Sequence, residues 1–309
     1  MKRENTMVAV KKKKIGVFDI FLTVFMIGIL LITLYPLYFT VIASFSDPKA
    51  VASGEVIWKP VGFTLDSYKQ VFAYDEIWRG YVNTIFYTVL GTMFQLFLTI
   101  PAAYALSKKY LPGQKILMTL FLITMYFGGG MVPTYLLVKN LGLINTRACL
   151  VIVSGFSIYN LIVTRTYFST SISESIFEAA RIDGSGEIKA FFSIALPLAK
   201  PIVAVMVLYF AVALWNNYFD ALLYISDKSL EPLQSVLRRV LIQNENALNE
   251  AMLQGSLAPG ELLDTAKRSY ASYTMKYTMV FIASAPLLAA YPFVQKYFVK
   301  GVMVGAVKE

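Results

Sequence analysis

Thr170–Pro201 reads TSISESIFEAARIDGSGEIKAFFSIALPLAKP, a polar interlude between two apolar blocks, and its pattern decides how the chain is read. Ser171 followed three residues later by Glu174 has the spacing of a capping box, so a short helix is expected to start there. Ile172, Ile176, Phe177 and Ala180 give that helix an apolar stripe, and Asp183-Gly184 is a stop and turn signal. A second short helix carrying Ile188, Phe191, Phe192 and Ala195 is expected to end at Pro197. Two such helices around a turn suit either a membrane-surface element or a docking element for another protein. The charges Glu174, Glu178, Arg181, Asp183, Glu187 and Lys189 are mixed rather than polybasic, which weakens attraction to anionic lipid and favours docking.

Outward from this loop the sequence is apolar in long unbroken blocks rather than at periods of 2 or 3.6. Six runs free of charge approach the roughly 20 residues that a helix needs to cross hydrocarbon. They predict spans at about 17–45, 81–107, 116–138, 148–166, 201–225 and 277–297. The expected fold is therefore an all-α integral membrane protein with six transmembrane helices. A basic tail, 1–15, precedes the transmembrane domain, 16–309, in which 167–200 is a loop on one face and 226–276 a long loop on the other. The composition agrees: 57% of the 309 residues are hydrophobic, 15% are charged and the mean hydropathy is +0.59.

The first run follows Lys11, Lys12, Lys13 and Lys14, as a secretory signal would. Its apolar part is about twice the 7 to 15 residues of a signal core, and no clean cleavage pattern follows, so it reads as an uncleaved span. Most of the Lys and Arg fall on one side if the N-terminus is cytoplasmic, including Lys108, Lys109, Lys115, Arg165, Arg181, Lys189, Lys200, Lys296 and Lys300. Both termini and the 167–200 loop are then expected inside. The formal charge of +9 reads as this cytoplasmic bias rather than as a sign of nucleic acid.

Several chemistries are excluded. With no histidine there is no His base, His-metal ligand or Ser-His-Asp triad. Cys149, the one cysteine, cannot form an internal disulfide. No catalytic or metal-binding residue is expected, and a membrane enzyme finds no support. No Gly-x-x-x-x-Gly-Lys-[Ser/Thr] phosphate loop is present, so the chain should not hydrolyse ATP.

Two further segments bear on a transport path. Gly128, Gly129 and Gly130, with Pro133 three residues on, predict unwinding inside the third span, which hydrocarbon tolerates only against protein or a water-filled path. They read either as cavity-lining residues or as packing features. Trp215-Asn216-Asn217-Tyr218-Phe219-Asp220 offers an aromatic face to a sugar ring and amides to its hydroxyls. The same residues suit an interfacial aromatic anchor whose asparagines bridge helices. The amphipathic piece Leu65–Phe72 reads as a helix on the membrane face or against a partner.

Within the central loop, Glu178-Ala179-Ala180, three residues, Gly184, nine residues, Ile194, one residue and Leu196-Pro197 resemble the EAA loop of permeases in binding-protein-dependent ABC importers. Leu141-Gly142-Leu143-Ile144-Asn145-Thr146 and the tail Gln295–Gly301 are similar to the carbohydrate branch, near the smaller permeases of maltose-type transporters. The resemblance covers nearly the whole chain from Phe18 onward. It implies the type I importer permease fold in a bacterial plasma membrane. The implied partners are a second permease, two ATPase subunits holding ATP and Mg, and an extracytoplasmic binding protein that delivers a carbohydrate. It implies that Glu178, Ala179, Ala180, Asp183, Gly184, Ile194, Leu196 and Pro197 form the ATPase-coupling element. A peptide or polyol would suit the same architecture. An ion-coupled secondary transporter would instead show inverted repeats and membrane-embedded acids, and neither is found.

Overall fold

A computed structural model of the chain describes residues 16–253, 270–271 and 274–292. Among them every regular element is helical. In chain order these are α1 (Val17–Ser44), α2 (Pro48–Ala52), α3 (Asp66–Phe72), α4 (Asp75–Ser107), α5 (Gln114–Tyr126), α6 (Met131–Asn140), α7 (Arg147–Ile152), α8 (Ile158–Ser171) and α9 (Glu174–Ile182). They continue with α10 (Glu187–Ala190), a π turn (Phe191–Ala195), α11 (Leu196–Leu198), α12 (Lys200–Trp215), α13 (Phe219–Tyr224), a 3-10 turn (Lys228–Leu230), α14 (Leu233–Leu253) and α15, residues 274–292.

Two of these helices, α1 and α4, are each long and apolar enough to cross a membrane unbroken. The third predicted span is not one rod: α5 and α6 meet at 111° across the triple glycine. Gly130 there adopts φ +87°, a conformation glycine enters without a Cβ clash. The fourth predicted span is likewise divided, into α7 and α8, around Gly155. A Cβ on Gly155 would lie 2.6 Å from Phe94 and 2.7 Å from the Ile152 carbonyl. The fifth splits into α12 and α13 at 216–218, and α12 meets the segment before it at 79°. Of the sixth, 293–297 lies outside the described residues, as do the 1–15 tail and the Gln295–Gly301 motif.

Two segments between the predicted spans fold as helices. Most of the described part of 226–276 is the 21-residue helix α14, which packs on α4. Helix α3 falls within the amphipathic piece Leu65–Phe72 and packs on the body. It buries Val71, and its Ser67 hydroxyl donates to Thr274 of α15 over 2.8 Å.

Helix α4 is the axis of the body, packing against α8, α12 and α14. Its inward side carries polar residues that serve backbone groups where other elements break. Gln95 donates to the Ser154 carbonyl over 2.7 Å, and Asn83 to the Ser229 and Glu231 carbonyls over 2.8 and 3.1 Å. The Thr84 hydroxyl accepts from the Leu233 N–H over 2.7 Å. By contrast α1 is exposed along nearly all its length and buries only Ile42, Ala43 and Ser44 at its end, the surface of a helix meant to meet lipid or another subunit.

Gln95→Leu removes the bond to Ser154 while keeping a buried side chain of similar length. It is expected to cost about 1 to 3 kcal/mol, the penalty of an orphaned carbonyl, read as a lower midpoint of thermal unfolding in detergent. Phe97→Leu, on the exposed side of the same helix, should leave the midpoint unchanged.

Candidate functional site

The first short helix of the central loop is α9, and it starts later than expected. Ser171 is the last residue of α8 and Ser173 takes the N-cap position, so the Ser171–Glu174 capping box does not form. The Ser173 hydroxyl instead pairs with that of Ser175 at 2.8 Å. The end of α9 follows the sequence. Gly184 lies at φ +77°, its N–H donates to the Arg181 carbonyl over 2.9 Å, and the Ser185 N–H donates to that of Ala180 over 2.8 Å. These two bonds make a Schellman motif, which needs a left-handed residue where glycine stands.

The second helix ends at Leu198, one residue past Pro197. It passes through the π turn, where the Leu196 N–H donates to the Phe191 carbonyl five residues back. Pro197 then sits in the first turn of α11, where its missing N–H is not needed. The apolar stripe expected on this helix divides. Phe191 and Ala195 are buried, whereas Ile188 and Phe192 are exposed.

Tyr104 of α4 supports the loop from beneath, its ring centroid 5.7, 5.8 and 5.1 Å from those of Phe168, Phe177 and Phe191. Arg181 and Glu187 brace the turn at 3.2 Å, with the Arg181 guanidinium 4.0 Å from the Tyr110 ring centroid. Burial works to raise the Glu187 carboxyl, but hydrogen bonds from Tyr110 and Arg181 outweigh it and hold the group below the usual carboxylate range. An ion pair this exposed is screened by water and contributes little, so the aromatic cluster holds the element in place.

Of the candidate coupling residues, Glu178, Ala179, Asp183, Gly184 and Pro197 are exposed, Ile194 and Leu196 are half-buried, and Ala180 is packed inward. Two residues flanking the Gly184 turn were not singled out as exposed groups by the sequence pattern. Ile182 is 86% exposed and Ile188 is 78% exposed. Large apolar side chains this bare, on a rigid turn, are what a docking surface presents.

The candidate pathway residues are scattered. Trp215 offers no free face: it is 6% exposed, and its indole N–H donates to the Ala283 carbonyl over 2.9 Å. Asn217 and Asp220 form a tie rather than an open site. The Asp220 carboxylate accepts from the Asn217 amide at 2.6 Å and from the Ser154 hydroxyl at 2.9 Å, joining the break after α12 to the break after α7. Asn216 is exposed and donates back to Val212. Gly128, Gly129 and Gly130 are exposed; Gly128 borders open space, and Pro133 lies 4.0 Å from where a Cβ on Gly129 or Gly130 would stand. Tyr218 lines a cavity of about 250 Å³ between α13 and α14 that it shares with Ser235, Arg238 and Gln243.

Comparison with known proteins places this geometry. Residues 77–304 match the family profile described as "Binding-protein-dependent transport system inner membrane component". Protein LplC of Bacillus subtilis is 39% identical over 94% of this chain and 95% of its own length. The polygalacturonan/rhamnogalacturonan transport system permease protein YtcP of the same organism is 36% identical over 94% and 98%. A crystal structure of a bacterial ABC transporter involved in the import of the acidic polysaccharide alginate includes a chain that superposes with a TM-score of 0.78. That chain is 32% identical, with 91% of this chain and 96% of the other covered.

Trp215→Ala is expected to act on stability, costing about 3 to 5 kcal/mol as buried Trp truncations do. Tyr218→Ala, at an exposed ring, should leave the unfolding midpoint near wild type, so equal loss in both variants would contradict this assignment.

Lys108, at the end of α4, has its ammonium pulled down to about 8 by burial, against an ordinary 10.5. Between those values the unfolded chain binds the extra proton, so this group adds stability as pH rises through the window. Lys108→Met should lack that rise, which parallel thermal melts of both proteins across alkaline pH would detect.

Proposed function

Because the chain belongs to the inner membrane components of binding-protein-dependent transport systems, we propose that it forms half of the transmembrane path of an ATP-driven importer for an oligosaccharide. The second half comes from a homologous permease. Two ATPase subunits, which hold ATP and Mg, dock from the cytoplasm, and an extracytoplasmic binding protein delivers the solute. In this reading six crossings are made, several by broken helices, within a bacterial plasma membrane, with both termini and the 167–200 loop on the cytoplasmic side. The sugar assignment draws on the relatives, whose names specify polygalacturonan, rhamnogalacturonan and alginate.

The observation that carries the proposal is the turn at Gly184. A rigid two-helix element stands out from the body, exposes Ile182, Gly184 and Ile188 together, and rests through Phe177 and Tyr104 on the end of α4. Such an element can enter a groove on an ATPase and pass its movement to the longest helix of the core. The transport cycle then needs two arrangements of the spans that the ATPase distinguishes by binding energy.

Gly184→Val tests this directly. No atom lies within 4 Å of the added Cβ, so the penalty is backbone strain alone, about 1 to 3 kcal/mol at a positive φ. The variant should reach the membrane at normal abundance, yet lose ATPase co-purification and solute uptake. Glu178→Lys should do the same by reversing an exposed charge, whereas Gly184→Asn, which tolerates this conformation, should retain part of the activity. Normal uptake with full ATPase retention in Gly184→Val would show that the loop is not the coupling element.

A further inference from the structure

Where α4 ends, Lys108 folds back beneath α9. It is 8% exposed, and its ammonium lies 3.0 Å from the ring centroid of Phe177 and 4.6 Å from that of Tyr104. Among the described residues no carboxylate forms an ion pair with it. Lys108, Lys109 and Arg165 line a cavity of about 100 Å³, with Phe168 and Ile172 as its apolar wall. Arg165 commits its Nε to the Leu106 carbonyl over 3.2 Å, which fixes the guanidinium at the rim. The one acid lining the cavity, Glu174, stands 3.9 Å from Lys109. Three cations therefore line the cavity with one carboxylate; Glu187 also acts on Lys108 electrostatically from beside Tyr104, yet no acid pairs directly with this most deeply buried of the three. Rings over an ammonium recover part of its lost hydration, but a buried charge calls for an anion.

We propose that this cavity binds the phosphodiester headgroup of an anionic membrane lipid. The inference rests on the orientation proposed above, in which the ends of α4 and α8 meet the cytoplasmic leaflet. Basic pockets between spans on that side are suited to anionic headgroups. The apolar wall of Phe168 and Ile172 favours a lipid over free phosphate, since it offers acyl chains a surface beside the charges. An ATPase carboxylate is less well placed. The cavity borders the Glu174 end of α9, about 12 Å at 1.5 Å per residue from the exposed turn at Ile182. A lipid held here joins α4, α8 and α9, so the composition of the leaflet bears on the stiffness of the coupling loop.

The test uses the intact importer with its ATPases, reconstituted in bilayer discs of phosphatidylcholine with phosphatidylglycerol. Lipids retained after transfer to detergent are counted by native mass spectrometry. Wild type should retain phosphatidylglycerol in preference to phosphatidylcholine. Retention should fall about fivefold for each cation removed, in Lys108→Met and in Arg165→Gln, and Lys108→Arg should restore it. Unchanged retention in both variants would overturn the proposal. Displacement by millimolar inorganic phosphate would overturn it in favour of a free-anion site. Loss of ATPase with full lipid retention would make the cavity a partner contact instead. Binding-protein-stimulated ATP hydrolysis of the same wild-type preparation keeps the two readings apart: its absence counts against the importer, while lipid retention alone decides the headgroup site.

Discussion

A backbone that crosses hydrocarbon must satisfy its own N–H and C=O groups, because no water is there to do so. This chain breaks several of its predicted spans, which removes the helical ladder at the breaks. The cost is met by side chains, mostly from one helix. Gln95 answers the Ser154 carbonyl at the α7–α8 break, and Thr84, Asn83 and Tyr87 answer Leu233, Ser229, Glu231 and Leu230 between α13 and α14. Tyr81 of α4 and Trp215 of α12 donate to the adjacent carbonyls of Ile282 and Ala283 in α15. Helix α4 can serve in this way because it is itself an unbroken 33-residue helix despite Pro101. Its close neighbours require small residues: a Cβ on Gly80 would lie 3.0 Å from the Leu233 backbone.

The same accounting explains residues that otherwise look like a binding site. Asn217 accepts from the Asp220 N–H through its amide oxygen and donates to the Asp220 carboxylate through its nitrogen. Ser154 joins them from the other break. Asn145 does comparable work, with its backbone at φ +60° and its side-chain oxygen accepting from the N–H groups of Ser226 and Asp227. This gives the Leu141–Thr146 segment a structural role, pinning the end of α6 to the end of α13. Polar side chains in such segments are spent on the protein's own backbone first, and those left over are fewer than the sequence suggests.

What was legible follows from this division. Long apolar runs announce burial in lipid, and Asp183-Gly184 announces a left-handed turn, since both depend on local chemistry. The breaks at 153–157 and 216–218 were not legible, because hydropathy registers length and composition but not direction, and neither carries a proline. The 21 residues of α14 read as loop because they are too polar to span, although they pack firmly on α4. The Ser171 box failed for a tertiary reason: α8 runs on to Ser171, leaving no room for it as a cap. Trp215 could not be oriented without knowing that the Ala283 carbonyl of α15 lay within reach of its indole N–H.

The mechanical consequence concerns how a push on the loop would travel. Exposed pairs such as Arg181–Glu187 are too weak to carry it, so transmission falls to the packed rings of Phe177, Phe168 and Phe191 around Tyr104. Close-packed cores of this kind move between discrete arrangements rather than stretching. Tyr104 stands one turn from the end of α4, and α4 holds the ends of the broken spans further along. In the proposed importer, a small displacement of the loop would therefore reach the breaks directly through one rigid rod. The breaks are where the backbone is held by side chains instead of its own ladder, and so where the spans can change angle without unfolding a helix.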